Sequence, residues 1–148
     1  MTAYQELAFS TVHEIHDLIV SKQLSPVEVT NLFLDRIETM DHKVNSFLTV
    51  AFDDARAQAV TAEKAVMSGD DLGPLHGIPI SIKDLTQTRG LRTTFGSVAF
   101  RNNVPEVDDI VVTRVKDAGA VILGKTNAPE FGLSATTDNR FRDHCRNP

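Results

Sequence analysis

The sequence predicts an α/β fold in which N-terminal helices are followed by part of a mixed β-sheet flanked by helices. In residues 1–73, apolar side chains recur at three- and four-residue spacing, which is the period of helices buried on one side. In residues 74–148, an alternating segment and a continuous apolar run, both typical of strands, are separated by a helical pattern. We therefore expect one domain with a helical first part and an α/β second part.

Two helix starts are marked by capping residues. Thr11 and Glu14 are spaced to cap a helix that runs to about residue 22. Ser25, Pro26 and Glu28 combine an N-cap, a proline at the first helical position and a capping-box glutamate. The first helix is expected to bury Val12, Ile15, Leu18 and Ile19, and the second to bury Val29, Leu32, Phe33, Ile37 and Met40.

A third helix is expected over about residues 52–68, because an alanine-rich set of residues fits the helical period and Gly69 suits a C-terminal stop. The set consists of Ala55, Ala59, Ala62, Ala65 and Val66. Residues 45–50 are expected to be extended, and the turn residues of 69–74 predict a loop.

The second part contains two strand patterns. Residues 77–83 alternate, so that the isoleucines at 78, 80 and 82 share one face while Pro79, Ser81 and Lys83 share the other. Residues 86–97 are rich in turn-forming residues, and residues 107–118 have helical spacing that ends at Gly119. The apolar run of residues 120–123 is typical of a strand covered on both faces.

Composition excludes several functional classes. With 148 residues, a net charge of −5 and evenly mixed charges, the chain lacks the cationic stripe that direct nucleic-acid binding requires. No stretch approaches the roughly 20 apolar residues that cross a bilayer, and we expect a cytoplasmic location without membrane contact. Cys145 is the only cysteine, which excludes an internal disulfide; we expect no metal and no cofactor.

Lys83 is the candidate catalytic residue. It ends an isoleucine-rich strand and precedes Asp84 and a turn-rich stretch, where sheets usually carry their sites. A lysine held out of water favours its neutral form, which can accept a proton from a hydroxyl. The alternative is a solvated lysine at a strand end, with or without pairing to Asp84.

Several motifs occur in the order and spacing of a known family. They are GPLHGIPISIKDL at residues 73–85, TTFGS at 93–97, DAGAVILGKTNAPEFG at 117–132, and ATTDNR at 135–140 with a terminal RNP. The SPVEV segment at residues 25–29 and its RIE continuation at 36–38 resemble the N-terminal region of the same family. In these motifs, the chain resembles the amidase signature family over almost its whole length.

The resemblance implies a hydrolase of carboxylic amides with a Ser–cis-Ser–Lys triad, acting on a small-molecule amide. The lysine of the family's IKD motif, its base, falls on Lys83. The family's GGSSGG loop follows the Asn-Pro pair that stands here as Asn147 and Pro148, so the resemblance places both catalytic serines outside these 148 residues. We expect residues 1–148 to be an N-terminal portion of one amidase-signature domain, inactive alone.

Two other functions stay open. The same signature occurs in the aminoacyl-tRNA amidotransferase, in the A subunit that releases ammonia from glutamine for its partner. The alternative from another class is a non-catalytic interaction module, with self-association through exposed sheet surface, because the strand at residues 121–123 needs neighbours. Arg142, Asp143 and His144 depart from the family pattern, and an aspartate in place of glycine would matter if that backbone needs a positive φ.

Other patterns are given structural interpretations. Residues 119–126, GAVILGKT, match the P-loop letters, but a buried strand and the nearby Pro129 disfavour a phosphate loop; Lys125 is interpreted as structural or at the site rim. His13, His16 and Asp17 are too few for a metal site, and His144 beside Cys145 does not make a catalytic dyad. The remaining expectations are a hydrogen-bonded His76 and supporting roles for Ser81 and Ser97.

Overall fold

The computed structural model describes residues 6–147. Its longer elements, in chain order, are α1 (Val12–Val20), α2 (Pro26–Val44), β1 (Phe47–Val50), α3 (Phe52–Ser68), β2 (Pro79–Lys83), α4 (Ile110–Asp117) and β3 (Val121–Thr126). Short 3₁₀ turns occur at Leu7–Phe9, Val98–Phe100 and Glu130–Gly132. The predicted mixed α/β fold is confirmed, and Pro148 of the Asn-Pro pair lies outside the described residues.

Both predicted capping boxes are formed. The Thr11 hydroxyl accepts a hydrogen bond from the Glu14 amide, and the Glu14 carboxylate accepts one from the Thr11 amide. At the start of α2, Ser25 caps the first turn and Glu28 accepts from the Ser25 amide at 3.0 Å. These bonds satisfy amides that would otherwise lack partners at a helix start, which explains why the starts could be predicted.

The sheet has the order β1-β3-β2, with β3 parallel to β2 and antiparallel to β1. Because β3 is the central strand, its residues Val121 to Lys125 are buried, as the apolar run predicted. The strand is longer than expected, continuing through Gly124 and Lys125 to Thr126. Since β1 comes from the predicted helical part, the two parts of the chain share one sheet.

Helices cover the sheet on both faces. Helices α2 and α3 pack on one face through a cluster consisting of Leu34, Phe47, Ala55, Ala59, Val121 and Leu123. On the opposite face, Val112 of α4 packs against Ile82 and Ile122. A third cluster joins α1 to the start of β2 through Ile15, Ile19, Val29, Val66 and Ile78.

Some burial predictions were wrong. Val12, the first residue of α1, is 48% exposed, and Met40 is 37% exposed because it lines an open cleft beside α2. Helix α4 begins at Ile110 rather than at about residue 107, with Asp109 as its N-cap. Within its run of three apolar residues, Val112 faces the core while Ile110 and Val111 are 68% and 52% exposed.

Among residues 6–147, no helix has the length and apolar character that a membrane span requires.

Candidate active site at the carboxyl end of strand β2

Two lysines lie side by side at the ends of the parallel strands β2 and β3. Lys83 pairs with Thr126, and Lys125 pairs with Ile82. Because successive side chains of a strand point to opposite faces, Lys83 lies on the face that α2 and α3 cover, and Lys125 on the face of α4. The structure thus places one lysine on each side of the same sheet corner.

A β-bulge in β3 causes this separation. The pairing shifts between Ile80 and Ser81, which pair with Ile122 and Gly124, so that Leu123 is the extra residue. Gly124 has a φ of 151°, and a Cβ added there would lie 2.2 Å from the Thr49 carbonyl oxygen. Without the bulge, Lys125 would pair with Lys83 and project from the same face.

Lys83 is exposed, so the expectation that it is held out of water is wrong for this structure. The reason is its position at the end of β2, an edge strand of the three: α2 and α3 cover the face of Ser81 and Lys83 only in part, and both residues stay exposed. No ion pair joins Lys83 to Asp84 in residues 6–147, and the hydroxyls of Ser81 and Ser97 do not hydrogen-bond its amine there. The exposure of Lys83 agrees with the alternative of a solvated lysine at a strand end, without the pair to Asp84.

A cleft of about 380 Å³ opens beside Ser81, on the face of the sheet that carries Lys83. We call it the sheet-face cleft. Its walls are mostly apolar and come from α2, β1 and the sheet: Phe33, Ile37, Met40, Val44, Phe47, Pro79 and Leu123, with Arg36, Asp41, Ser46 and Ser81 as polar members. Lys83 lies two residues along the strand from Ser81, beyond this lining.

Asp84 turns away from Lys83 into a buried hydrogen-bond network. Its Oδ2 accepts hydrogen bonds from the Thr94 hydroxyl, from the Thr94 amide at 3.0 Å and from the Gly96 amide at 3.5 Å. Its backbone amide donates to the Thr126 carbonyl at 3.1 Å, and its carbonyl accepts from the Phe95 amide at 3.0 Å. Asp84 therefore joins the start of the loop of residues 84–97 to its return.

Lys125 is fully buried, with 0% of its surface exposed. Its ammonium donates to the Thr86 carbonyl, to the Thr88 hydroxyl at 3.2 Å and to the Thr93 hydroxyl at 2.7 Å. Burial lowers the pKa of Lys125 from 10.5 to about 8, and the carboxylates of Asp84, Asp109 and Asp108 oppose that shift. Of its two interpretations, the structural one is supported, although Thr86, Thr88 and Thr93 were missed as its partners.

The P-loop letters do not form a phosphate loop. Residues 121–126 are strand β3, and the next helical turn in the described chain is the three-residue Glu130–Gly132. A phosphate site needs inward-pointing amides at the N-terminus of a helix, which this arrangement does not provide.

Two histidines contact backbone carbonyls at different places in the fold. His76 hydrogen-bonds the Ala62 carbonyl at 2.9 Å, as expected of a packed loop residue, and His16 lies 3.4 Å from the Gly73 carbonyl. Within residues 6–147, no group of three or more His, Cys, Asp and Glu side chains is arranged to hold a metal ion. In the tail, the His144 amide bonds the Asp143 carboxylate and Cys145 is exposed.

The departures near the end of the chain are accommodated. Arg142 forms an ion pair with Asp41 at 2.6 Å, and donates to the Phe47 carbonyl and to Asn45 Oδ1 at 3.0 Å. Asp143 is not among the non-glycine residues with positive φ, so the aspartate does not strain the backbone. The tail is fastened to the junction of α2 and β1 by a residue that sequence analysis flagged only as unusual.

Comparisons with known proteins agree with this geometry. The family model described as Amidase matches residues 28–148. The A subunit of the glutamyl-tRNA(Gln) amidotransferase of Geobacter sp. (strain M21) is 41% identical over 138 residues, which cover 93% of this chain and 28% of that protein. The chain thus spans less than a third of the length of this curated relative.

Solved structures give the same result. A bacterial aryl acylamidase of the amidase signature enzymes superposes with a TM-score of 0.84 and 34% identity, over 89% of this chain and 28% of that one. Fatty acid amide hydrolase superposes with a TM-score of 0.93 and 26% identity, over 100% of this chain and 26% of that one.

Proposed function

This chain belongs to the amidase family, and on that basis we propose that it supplies the general base, Lys83, of a hydrolase that cleaves the C–N bond of carboxylic amides. The supporting observation is the position of Lys83 at the carboxyl end of β2, exposed on the sheet face that carries the sheet-face cleft. A base has to reach a hydroxyl that another segment supplies, and an exposed amine is accessible to one.

The proposed mechanism follows the family resemblance. The neutral Lys83 amine takes a proton from a bridging serine, which in turn takes one from the nucleophilic serine. The nucleophile attacks the amide carbonyl, ammonia or an amine leaves with a proton, and water hydrolyses the acyl-enzyme to the carboxylate. Docking of the serine-bearing segment would also remove Lys83 from water, which favours the neutral amine that the step requires.

The test uses a fusion of residues 1–148 to the segment of the aryl acylamidase relative that carries its two serines. Lys83→Met keeps the length of the side chain and removes the amine. We expect kcat to fall by about 10³-fold or more, because the members of a catalytic triad act as a unit. Lys64→Met, at an exposed position of α3, is the matched control and should leave kcat unchanged.

Turnover in Lys83→Met within about tenfold of the parent fusion would overturn the proposal. For residues 1–148 without a fusion partner, no amide turnover is expected. Measurable hydrolysis by this polypeptide would contradict the assignment of the nucleophile to another segment.

A second candidate is the glutaminase component of an aminoacyl-tRNA amidotransferase. It is favoured by relatives with that name, of which one is 43% identical over 97% of this chain. Its substrate would be glutamine and its product ammonia, delivered to another protein of the complex. Glutaminase activity of the fusion that appears only when the other components are added would decide for it.

A non-catalytic interaction module remains the alternative from another class. In the described part of the chain, β2 pairs only with β3 and leaves its other edge open, which supports self-association by strand pairing. Light scattering of the 148-residue polypeptide is expected to detect dimers or larger species, and a monodisperse monomer with a sharp melt would contradict this.

The cellular compartment that we propose for the protein is the cytoplasm.

A further inference from the structure

We propose that Lys125 is a positioning residue for Lys83: it ties together the two legs of the 84–97 loop and so fixes the direction in which Lys83 leaves the sheet. The inference rests on the proposed function, because Lys83 is the residue to be positioned. Lys125 itself lies on the opposite face and does not approach the reacting atoms.

The acceptors around the buried Lys125 ammonium come from both legs of the loop. Thr86 and Thr88 lie on the outgoing leg of the loop, and Thr93 lies on the returning leg. The two hydroxyls in turn donate hydrogen bonds within the loop: Thr88 donates to the Thr86 carbonyl at 3.3 Å, and Thr93 donates to the Leu91 carbonyl at 3.0 Å. One side chain therefore holds both legs at a fixed separation.

We call these contacts the Lys125 clamp, and backbone hydrogen bonds connect it to Lys83. The Thr86 amide donates to the Lys83 carbonyl at 3.0 Å, and the Thr86 carbonyl is the acceptor for Lys125. The Asp84 amide, in the same peptide group as the Lys83 carbonyl, donates to the Thr126 carbonyl, next to Lys125 in β3. A single residue, Thr86, thus joins the clamp to the peptide group that follows the candidate base.

Lys125 is expected to contribute little to global stability. A buried cation carries a desolvation penalty, which Lys125→Met removes. Without the ammonium, the Thr88 and Thr93 hydroxyls can still donate to the Thr86 and Leu91 carbonyls. Lys125 has no carboxylate within ion-pair distance among the described residues, only uncharged oxygen acceptors. Its contribution should therefore be local order of the loop rather than global stability.

The test is Lys125→Met in the isotopically labelled 148-residue polypeptide, with amide hydrogen exchange measured residue by residue. Protection at the amides of Asp84, Thr86 and Phe95 should fall by about tenfold or more, while the amides of α3 keep theirs. The urea midpoint should stay unchanged or rise. Lys64→Met serves as the control and should change neither quantity.

Unchanged protection at the three loop amides would overturn the inference. So would a uniform loss of protection in loop and helices together with a lower urea midpoint, since that is the signature of a general stabilising role. If Lys125→Met does not fold, Thr93→Val removes one acceptor with little change of shape and should loosen the same three amides to a smaller degree.

In the fusion, Lys125→Met should lower kcat by about 10- to 100-fold with KM unchanged, because a misdirected base slows the chemical step more than binding. The two proposals fail separately. If Lys83→Met abolishes turnover but Lys125→Met leaves kcat unchanged, the positioning role is wrong and the base assignment stands. If Lys83→Met leaves turnover unchanged, the base assignment is wrong, and Lys125 then has no base to position.

Discussion

The two faces of the sheet at the carboxyl end of β2 each carry a lysine, and the two lysines differ in solvent exposure. On one face Lys83 is exposed, beside an open cleft. On the other face Lys125 is fully buried and all three of its donors have oxygen acceptors. The pair sits on adjacent strands, so the contrast comes from what covers each face and not from the position along the sheet.

The contrast shows that burial of a lysine is not a sufficient criterion for a catalytic one. Lys125 has the burial and the lowered pKa usually sought in a base, yet its surroundings are the inner surface of a loop. Lys83 is exposed, but it lies on the face that another segment can reach. Access to a reaction partner distinguishes the two residues better than solvent exposure does.

A side chain at Gly124, in the bulged part of β3 between the two lysines, should have the most severe consequence. Gly124→Ala would place a methyl group 2.2 Å from the Thr49 carbonyl oxygen, at a φ that side chains rarely adopt. We expect a loss of about 3 kcal/mol or more in the free energy of unfolding, because the contact is with backbone and cannot relax by a rotamer change. Urea unfolding of the 148-residue polypeptide checks this, and a loss below about 1 kcal/mol would show that the contact between β1 and β3 adjusts to a side chain at this position.

The next effect is a dependence on pH. The unfolded chain keeps the Lys125 proton up to a pKa of 10.5, whereas the folded chain releases it at about 8. Between these values the unfolded state binds more protons, so the contribution of Lys125 to stability rises as the pH increases and is lost as the pH falls through 8.

We expect the free energy of unfolding of the parent, measured relative to Lys125→Met, to rise by on the order of 2 kcal/mol from pH 7 to pH 10.5. Urea unfolding of both proteins at a series of pH values gives this difference. A difference that does not change with pH would mean that Lys125 titrates at its ordinary pKa. Burial would then affect the exposure of Lys125 and not its protonation.

Arg142 provides an intermediate case, a cation whose side chain is 30% exposed and that binds Asp41 as well as two backbone carbonyls. Arg142→Met is expected to destabilise the chain by about 1 kcal/mol, since a partly solvated ion pair with hydrogen bonds contributes modestly. The exposed Arg140 two residues earlier is the control, and Arg140→Met should be neutral. Equal effects of both variants would mean that the tail is not held by this contact.

The sequence predicted the elements whose causes are local. The helix starts at Thr11 and Ser25 depend on residues three positions away, and the αL stop at Gly69 depends on glycine itself. The central strand was predicted from its apolar run, but its end was predicted at residue 123 because Gly124 and Lys125 interrupt that run. The bulge that turns Lys125 to the face of α4 cannot be detected from the alternation of side chains along a strand.

The candidate site was less predictable because its partners are distant in the chain. Lys83 was proposed from its strand and its motif, whereas the acceptors of Lys125 lie 32 to 39 residues away in a loop. Thr93 and Thr94 belong to the TTFGS motif, and they bind Lys125 and Asp84, respectively. The only signal for these contacts is that a buried lysine and a buried aspartate both need hydrogen-bond partners. The exposure of Lys83 could not be predicted, since it depends on which segments cover β2.

The exposed face should respond least to substitution. Lys83→Met should change the free energy of unfolding of the 148-residue polypeptide by less than about 0.5 kcal/mol, because the exposed amine has no hydrogen-bond or ion-pair partner among residues 6–147. The same substitution is expected to abolish turnover in the fusion, so stability and activity would separate at this residue. A loss above about 1 kcal/mol in urea unfolding would instead make Lys83 part of the folded framework. Since a substitution that unfolds the sheet corner also stops catalysis, only the stability measurement allows lost turnover to be assigned to the missing base.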